Sequence, residues 1–435
     1  MMRNKMHPYW NFCRRRDTRN FRLTVQTVMD MAMEVRNKRI LHWSCRGLTE
    51  LPEVIRLHGG HVKEIYLKWN ELTTLPPWIA ELYNMTNLYL YNNRIEQLPV
   101  ELGEMSQLTV LDLSTNRLQL VPACIGNLKN LRYLSLDNNL IERLSVELSQ
   151  LNNLEVLSIS GNQIVTLPEW IGSFPKLREL YVDGNRLREL PNRLTIAPNL
   201  TLISACENRL TYLPLNGFLS APYIRVEGNE YLNYISYPLL QQLYPHLRHS
   251  LIFYKDACKD VTSRYFKTHY DTNGLSIKLH IKTKDFFPIN YDATIELPRQ
   301  LLKVHEVHEN VTCSLLELAL RKVYTERYKH TLDIPVLSEK GKVTVFYEPL
   351  LKNTKLDFIL STNHILYSLL TNGPTSICVN SQCQQPIFTE AWIIIDMCNP
   401  TVWRTITIAL CCSRSCAIAF AHSNATNNPD CHCIN

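Results

Sequence analysis

Residues 106–128 read SQLTVLDLSTNRLQLVPACIGNL, and this stretch decides the fold of the first half of the chain. The apolar residues Leu111 and Leu113 alternate with polar neighbours, which is the pattern of a strand with one buried face. Asn116 follows the strand pattern, and Pro122 then ends regular structure because proline lacks an N–H and has a fixed φ. The stretch predicts one short strand followed by a turn.

The same pattern, called a coil below, recurs every 23 residues. Its asparagine stands at seven positions: Asn70, Asn93, Asn116, Asn139, Asn162, Asn185 and Asn208. An apolar residue followed by proline comes next in every one of these coils except that of Asn139, which has Leu144-Ser145. One coil cannot bury its own apolar edge, whereas stacked coils share a continuous core. The sequence therefore predicts a solenoid.

This pattern resembles the leucine-rich repeat family in its 23-residue intracellular form. The resemblance implies an α/β solenoid with one short parallel strand per coil on a concave face, and turns or short helices on the convex face. Atypical coils flank the array: Arg46 stands where the asparagine belongs upstream, and Asn229 follows at a shortened spacing downstream. We predict about nine coils, from about Ile40 to about Tyr237.

The repeat pattern and the change in composition after it predict four segments. They are a basic N-terminal segment (1–37), the leucine-rich repeat solenoid with terminal caps (38–250), a smaller α+β C-terminal domain with a cysteine cluster (251–422) and a flexible tail (423–435). Within the third segment, Ser314 with Glu317 three residues later predicts the start of a helix.

The repeated asparagine has a predicted structural task. Its short amide both donates and accepts hydrogen bonds, so it can satisfy backbone groups in a turn that lacks a strand partner. We expect stacked coils to place these side chains in a row.

The concave face is the predicted binding surface, because residues four and two positions before each asparagine should point out of it. Early coils place tyrosines there, and tyrosine and tryptophan are frequent binding anchors. The alternative is that these side chains only pack across the strands. We predict that a protein partner binds here, through Tyr66, Lys68, Trp69, Tyr89, Tyr91, Asp112, Asp137, Tyr181, Asp183 and Arg225.

The cysteines of the C-terminal domain form two groups separated by a β-rich segment, which is the logic of a zinc ribbon. Four thiolates make a closed tetrahedral site whose binding energy contributes to folding. We predict a structural Zn²⁺ held by Cys378, Cys383, Cys412 and Cys416, with Cys411 as the alternative to Cys412. Buried or free thiols are the competing interpretation.

Composition and charge exclude several classes of protein. The chain is 45% hydrophobic and 20% charged, which favours a buried core over global disorder. The net charge of +6 is mild for 435 residues, so nucleic-acid binding through bulk charge is not expected. We find no uninterrupted apolar run of ~18 residues and no secretory signal pattern, so neither a membrane span nor export is expected. Cysteines are sparse before Cys378, which favours a reducing, cytoplasmic compartment.

These observations predict a non-enzymatic intracellular interaction module or scaffold, with a role in signalling suggested by analogy to relatives. Two alternatives stay open. A cysteine-dependent ligase would use Cys313 as nucleophile, near His305 and His308 in the sequence. A zinc-ribbon nucleic-acid binder would use Arg404 and Arg414 for phosphate contacts, which is a small basic footprint.

Overall fold

A computed structural model describes residues 25–220, 222–243, 261–271, 274–283, 290–307, 309–325, 369–370, 373–398 and 405–426. Most of the basic N-terminal segment and the end of the predicted tail lie outside these ranges, as do His308 and Arg404. The chain divides into two compact units. The first comprises Met1–Leu187, Asn199–Asn208 and Tyr223–Gly228; the second comprises Arg188–Pro198, Arg209–Pro222 and Asn229–Asn435.

The first unit is built on a nine-stranded parallel sheet whose strands follow chain order. The strands are β1 (Ile40–His42), β2 (Glu64–Tyr66), β3 (Asn87–Tyr89), β4 (Val110–Asp112), β5 (Tyr133–Ser135), β6 (Val156–Ser158), β7 (Glu179–Tyr181), β8 (Leu202–Ser204) and β9 (Tyr223–Arg225). Equivalent residues pair in register, as Leu111 does with Leu134. Both leucines are fully buried. The predicted solenoid of nine coils is confirmed.

Short helices cover the opposite side of the coils. The first coil has an α-helix, α2 (Glu53–His58), and later coils of this unit have 3-10 helices at Pro77–Glu81, Val100–Glu104, Ala123–Asn127, Val146–Gln150 and Glu169–Ser173. The residue before each 3-10 helix is extended, and proline suits this position because its φ is fixed. Ser145 holds the same backbone, with φ −70° and ψ 139°.

The repeated asparagines form the predicted row. Asn116 Nδ2 donates to Leu113 O in its own coil (2.9 Å) and to Leu90 O in the preceding coil (3.0 Å). Its Oδ1 accepts from Ile95 N (3.0 Å). Each amide thus satisfies backbone groups of two coils at once, which confirms the expected task.

Within the part of the chain that the structure describes, a helix rather than a coil precedes the first coil. Helix α1 (Val25–Asn37) buries Met31 and Val35. Its Glu34 carboxylate accepts from Trp43 Nε1 (2.8 Å) and from Arg46 Nη2 (3.0 Å). Burial alone would raise the pKa of Glu34, but these two hydrogen bonds lower it below the ordinary value. Arg46 therefore ties the end of the array to α1 where an asparagine would lack its usual partner.

The second unit contains a four-stranded mixed sheet, a three-stranded antiparallel sheet and a hairpin. Its elements are β10 (Tyr234–Ser236), α3 (Tyr237–Leu243), β11 (Val261–Asp271), β12 (Gly274–Thr283), β13 (Asn290–Glu296), β14 (Lys303–His305), α4 (Leu315–Val323), β15 (Ser376–Ile377), β16 (Pro386–Ile387), β17 (Glu390–Cys398), β18 (Thr405–Cys411) and α5 (Arg414–Thr426). The strand order of the mixed sheet is β10-β18-β17-β14. The hydrophobic core of the unit includes Ile277 and Ile295 of the three-stranded sheet and Trp392 and Ile408 of the mixed sheet. A separate C-terminal α+β domain with a cysteine cluster is thus present, and its bounds of 251–422 stay a prediction.

Helix α4 begins where the sequence predicts it, because Ser314 Oγ accepts from Glu317 N (3.3 Å) as an N-terminal cap. None of the helices within the described ranges is both long and apolar enough to cross a membrane.

Candidate functional site

The exposed face of the sheet carries a ladder of stacked rings at its N-terminal end. His42 at the end of β1 stacks on Tyr66 at the end of β2, with ring centroids 4.8 Å apart. Tyr66 stacks in turn on Tyr89 of β3 at 4.5 Å and an interplanar angle of 13°. Register places these rings side by side, since His42, Tyr66 and Tyr89 are paired residues of adjacent strands. We call this set the aromatic ladder.

Lys68 lies over the aromatic ladder. Its Nζ is 4.7 Å from the centroid of the Tyr89 ring and 5.9 Å from that of Tyr66, which is the geometry of a cation–π interaction. The same ammonium is 3.9 Å from Asp112 Oδ2. Burial raises the pKa of Tyr66 to about 12, as does its hydrogen bond to Glu64, so its hydroxyl stays protonated and donates. The ladder is therefore a stacked aromatic surface on which the Tyr66 hydroxyl is neutral and over which the Lys68 ammonium lies.

Trp69 and Tyr91 form a second aromatic contact, edge to face at 5.3 Å. Trp69 has a left-handed backbone with φ +60°, a conformation that bulky residues rarely adopt. The same position has a positive φ in all nine coils, where it holds Cys45, Trp69, Asn92, Thr115, Asn138, Gly161, Gly184, Glu207 and Gly228. The conformation therefore belongs to the repeat, and the contact of the Trp69 ring with Tyr91 is what distinguishes this coil.

A cavity of about 380 Å³ adjoins Trp69 within the first unit. It is lined by Cys45, Gly47, Trp69, Asn70, Glu71, Asn92, Asn93, Arg94 and Arg117. Three charged residues line the cavity, and two of them are paired, because Arg94 Nη1 lies 3.2 Å from Glu71 Oε2. The cavity is polar and extends the surface beside the second aromatic contact.

Two of the predicted acidic residues serve the sheet itself. The Asp137 carboxylate accepts from Ser158 Oγ (2.6 Å) and from Ser160 N (2.7 Å), both in the next coil. Asp183 makes equivalent bonds to the coil that follows it. Burial raises the pKa of Asp137 above its ordinary value, although these hydrogen bonds oppose the shift. Both carboxylates thus accept hydrogen bonds from the next coil and link successive coils.

The remaining predicted residues lie farther along the array. Tyr181 ends β7 and donates to Glu179 Oε2 (2.8 Å), and Arg225 is exposed at the end of β9. Neither belongs to the aromatic ladder. Two residues absent from the predicted set belong to this face: His42, which stacks in the ladder, and Tyr133, which is 37% exposed at the start of β5. The signal for Tyr133 is its position six residues before Asn139, because alternation along β5 places it on the same face as Ser135.

The cysteine cluster lies in the second unit, where two pairs of cysteines meet. Cys378 and Cys383 lie in and beside the turn between β15 and β16, and Cys383 N donates to Asn380 O (2.9 Å). Cys412 directly follows β18, and Cys416 lies in the first turn of α5. The Sγ atoms of these four cysteines all lie within 4.8 Å of one another.

The spacing of the thiols fits a metal ion. A tetrahedral site with metal–sulfur bonds of about 2.3 Å requires sulfurs about 3.8 Å apart. The Sγ of Cys412 lies 3.4 Å from that of Cys383 and 3.6 Å from that of Cys416. Within the described residues, this group that could hold a metal consists of thiols alone and includes Cys412 rather than Cys411.

Shared protons shift the acidities within the cluster. Hydrogen bonds from the thiols of Cys411 and Cys412 lower the pKa of Cys378 far below that of an ordinary thiol. The same bonds, together with burial, raise the pKa of Cys411 and of Cys412. The cluster thus favours a thiolate at Cys378, and thiolates are the form that binds metals.

The described residues of the two alternative sites, the ligase cysteine Cys313 and the phosphate-binding Arg414, are both engaged in contacts within the unit. The Cys313 thiol donates to Cys412 O (3.3 Å), and burial raises its pKa, whereas a nucleophilic cysteine needs a lowered one. Arg414 Nε donates to Val307 O (2.9 Å), so this cation is engaged within the unit.

The repeat matches a known protein family over part of its length. A family model described as leucine rich repeat matches residues 83–141 and 129–187. A crystal structure of internalin C2 from Listeria monocytogenes is similar at 25% identity and a TM-score of 0.33, over 35% of this chain and 65% of that one. The chain thus spans slightly less than two thirds of that relative. No curated protein matches the chain. The fold and the family model together define the first unit as a leucine-rich repeat solenoid.

Proposed function

We propose that this chain is a non-enzymatic interaction module of the 23-residue intracellular class, which acts as a cytoplasmic scaffold in signalling. A protein partner binds the concave face of the solenoid. The observation that carries this proposal is the aromatic ladder of His42, Tyr66 and Tyr89 with Lys68 above it. Half-buried aromatic side chains held rigid by neighbours lose little entropy on binding, which makes them effective anchors.

The second aromatic contact and the polar cavity would extend this anchor along the edge of the face. Trp69 offers an apolar surface, and Arg94 and Arg117 offer donors. A partner segment with an aromatic or aliphatic side chain followed by polar groups fits this arrangement. The acidic residues of the later coils, Asp137 and Asp183, would contribute less, because their oxygens already accept bonds from the sheet.

Affinity capture with the full chain tests the proposal. The double variant Tyr89→Ala/Tyr91→Ala removes one ring from each aromatic contact, and Tyr83→Ala removes a tyrosine that is 63% exposed outside the strands. We expect quantitative mass spectrometry to find partners that the double variant loses by at least about tenfold and that Tyr83→Ala retains. Equal recovery by all three proteins, with unchanged circular dichroism, would remove the concave face from consideration.

We also propose that the cysteine cluster binds a structural Zn²⁺ through Cys378, Cys383, Cys412 and Cys416. Bound zinc would hold the two cysteine pairs together and add its binding energy to the folding of the second unit. Metal analysis of the purified chain should find about one zinc per chain. Cys383→Ser should lose it, whereas Cys124→Ser, outside the cluster, should not. Metal-free protein, or equal zinc in both variants, would contradict the assignment.

Three segments of the sequence also suggest a closer relationship. We propose that the chain is a relative of leucine-rich repeat-containing protein 28, which it resembles in residues 316–324, 383–388 and 411–416. That resemblance implies a cysteine at the position of Asn380. Here Asn380 Oδ1 accepts from Gln382 N (3.1 Å) and shapes the turn, while Cys378 supplies the fourth thiol. The proposal predicts that a chain with Asn380→Cys and Cys378→Ser still binds zinc, and loss of zinc from it would count against the relationship.

A further inference from the structure

Helix α4 of the second unit buries two charged residues beside Leu320, whereas its other leucines are exposed. Glu317 is fully buried and Arg321 is 9% exposed, whereas Leu315 is 83% and Leu318 48% exposed. Helices of soluble proteins normally pack their apolar face inward, and charged residues are rarely buried unless they are paired. The contacts of Glu317 and Arg321 explain why these two charged side chains are buried.

Glu317 holds the segment that follows the first cysteine pair. Its carboxylate accepts from the backbone N–H groups of Phe388 (3.0 Å), Thr389 (2.6 Å) and Glu390 (3.2 Å). It also accepts from Thr389 Oγ1 (2.9 Å). These residues connect β16, which closes the turn of Cys378 and Cys383, to β17. One carboxylate thus fixes the chain next to the first two thiols.

Arg321 holds the second cysteine pair. Its Nη1 donates to Cys412 O (3.0 Å) and its Nη2 to Glu390 O (3.4 Å). Its Nε donates to Glu317 Oε1 (2.8 Å), so the two side chains act as one unit. The Glu317–Arg321 ion pair therefore links residues 388–390, which follow Cys378 and Cys383, to the backbone of Cys412.

We propose that Glu317 and Arg321 are positioning residues of the metal site, which hold the two cysteine pairs at ligand distance and so set the affinity for zinc. This inference rests on the proposed zinc site. Without a metal no bond joins the two cysteine pairs, so their positions depend on the hydrogen bonds and packing of the surrounding chain. Groups that orient metal ligands without touching the metal commonly change affinity about 10–100-fold when altered. A buried ion pair gains little stability of its own, which favours a positioning task for this one.

Zinc affinity of the full chain tests the proposal, measured by competition with a chromophoric chelator. Arg321→Lys keeps the charge but loses the forked donor, and Arg321→Met loses both. Tyr234→Phe is the control, because it removes a buried hydrogen bond to Glu296 O (2.8 Å) in the same unit but away from the cysteines. We expect the two Arg321 variants to bind zinc about 10–100-fold more weakly, with Met the weaker, and the control to bind as the wild type does.

A second readout separates positioning from general destabilisation. The rise in Tm on adding zinc to chelator-treated protein should shrink in both Arg321 variants and stay unchanged in Tyr234→Phe. The cobalt-substituted spectrum should keep its thiolate charge-transfer band in Arg321→Lys but at a higher cobalt concentration. Wild-type affinity and an unchanged Tm increment in Arg321→Met would overturn the positioning role alone. A wild-type chain that binds no zinc would overturn the metal site and this role with it.

Discussion

At the scale of single residues, the asparagines show why a 23-residue coil needs an amide at one position. Asn116 donates to three carbonyls, those of Leu90, Leu113 and Ser114, and accepts from one backbone N–H while it is 8% exposed. A carboxylate could not donate, and a hydroxyl is too short to reach two coils. The residue type is therefore fixed by hydrogen-bond capacity and length together.

Removing this amide should destabilise the first unit. We predict that Asn116→Ala lowers the free energy of unfolding by about 1–3 kcal/mol, because buried backbone groups lose their partners. Urea denaturation followed by circular dichroism measures the change. Asn130→Ala is the matched control, since its amide makes an exposed hydrogen bond to Ser106 O (2.9 Å). Equal stability of the two variants would refute the assigned task.

Asp137 gives a residue-level prediction that depends on pH. Its pKa in the folded protein is raised above 3.8, so the folded state binds a proton more tightly than the unfolded state. The free energy of unfolding contributed by this group therefore falls as pH rises from about 3.8 through the folded pKa. The neutral Asp137→Asn variant lacks this loss, so we predict that its stability relative to wild type is greater at pH 7 than at pH 3.5.

Denaturant titrations at these two pH values measure the difference. Glu96→Gln, a carboxylate that is 63% exposed, serves as the control. A stability difference for Asp137→Asn that does not change with pH would contradict the prediction.

At the scale of elements, the convex side shows what proline contributes before each 3-10 helix. Pro122 (φ −61°, ψ 143°) and Ser145 (φ −70°, ψ 139°) hold the same backbone in successive coils. Serine can hold this conformation without being confined to it. Having serine instead of proline at position 145 thus raises the conformational entropy of the unfolded chain and leaves the folded backbone unchanged.

We predict that Ser145→Pro raises the free energy of unfolding by about 0.5–1 kcal/mol, because proline narrows the unfolded ensemble and fits the native φ. The reverse change, Pro122→Ser, should lower it by a similar amount. Thermal unfolding monitored by calorimetry distinguishes the two directions. Destabilisation by Ser145→Pro would mean that its N–H or its hydroxyl bond to Glu147 matters more than the entropy.

At the scale of the whole molecule, each of the two units is stabilised internally in a different way. The first stacks identical coils around a leucine core, whereas the second joins two sheets, a hairpin and helices. We predict that chelation of zinc loosens only the second. Hydrogen exchange should accelerate in β17 and β18 and stay unchanged in β4–β6. Acceleration in both units, or in neither, would contradict this expectation.

The sequence predicts the first unit better than the second for a physical reason. Contacts between coils recur at a fixed separation, so Leu111, Asn116 and their equivalents reveal the fold through repetition alone. The four cysteines were predictable as a group because thiols at short spacing suggest a metal. The Glu317 contacts to residues 388–390 were not, because they join segments about 70 residues apart with no repeated pattern.

The hydrogen bonds of the asparagines also set the increments by which this protein can change in length. The amides from Asn93 to Asn208 each reach a carbonyl 26 residues earlier in the chain, as Asn116 does with Leu90. A gain or loss of one whole coil restores every such bond, whereas any other insertion within a strand breaks the row. Duplication of a single coil would therefore lengthen the exposed face of the sheet by about 4.8 Å. New reach could thus be acquired in discrete steps, each leaving the older contacts intact.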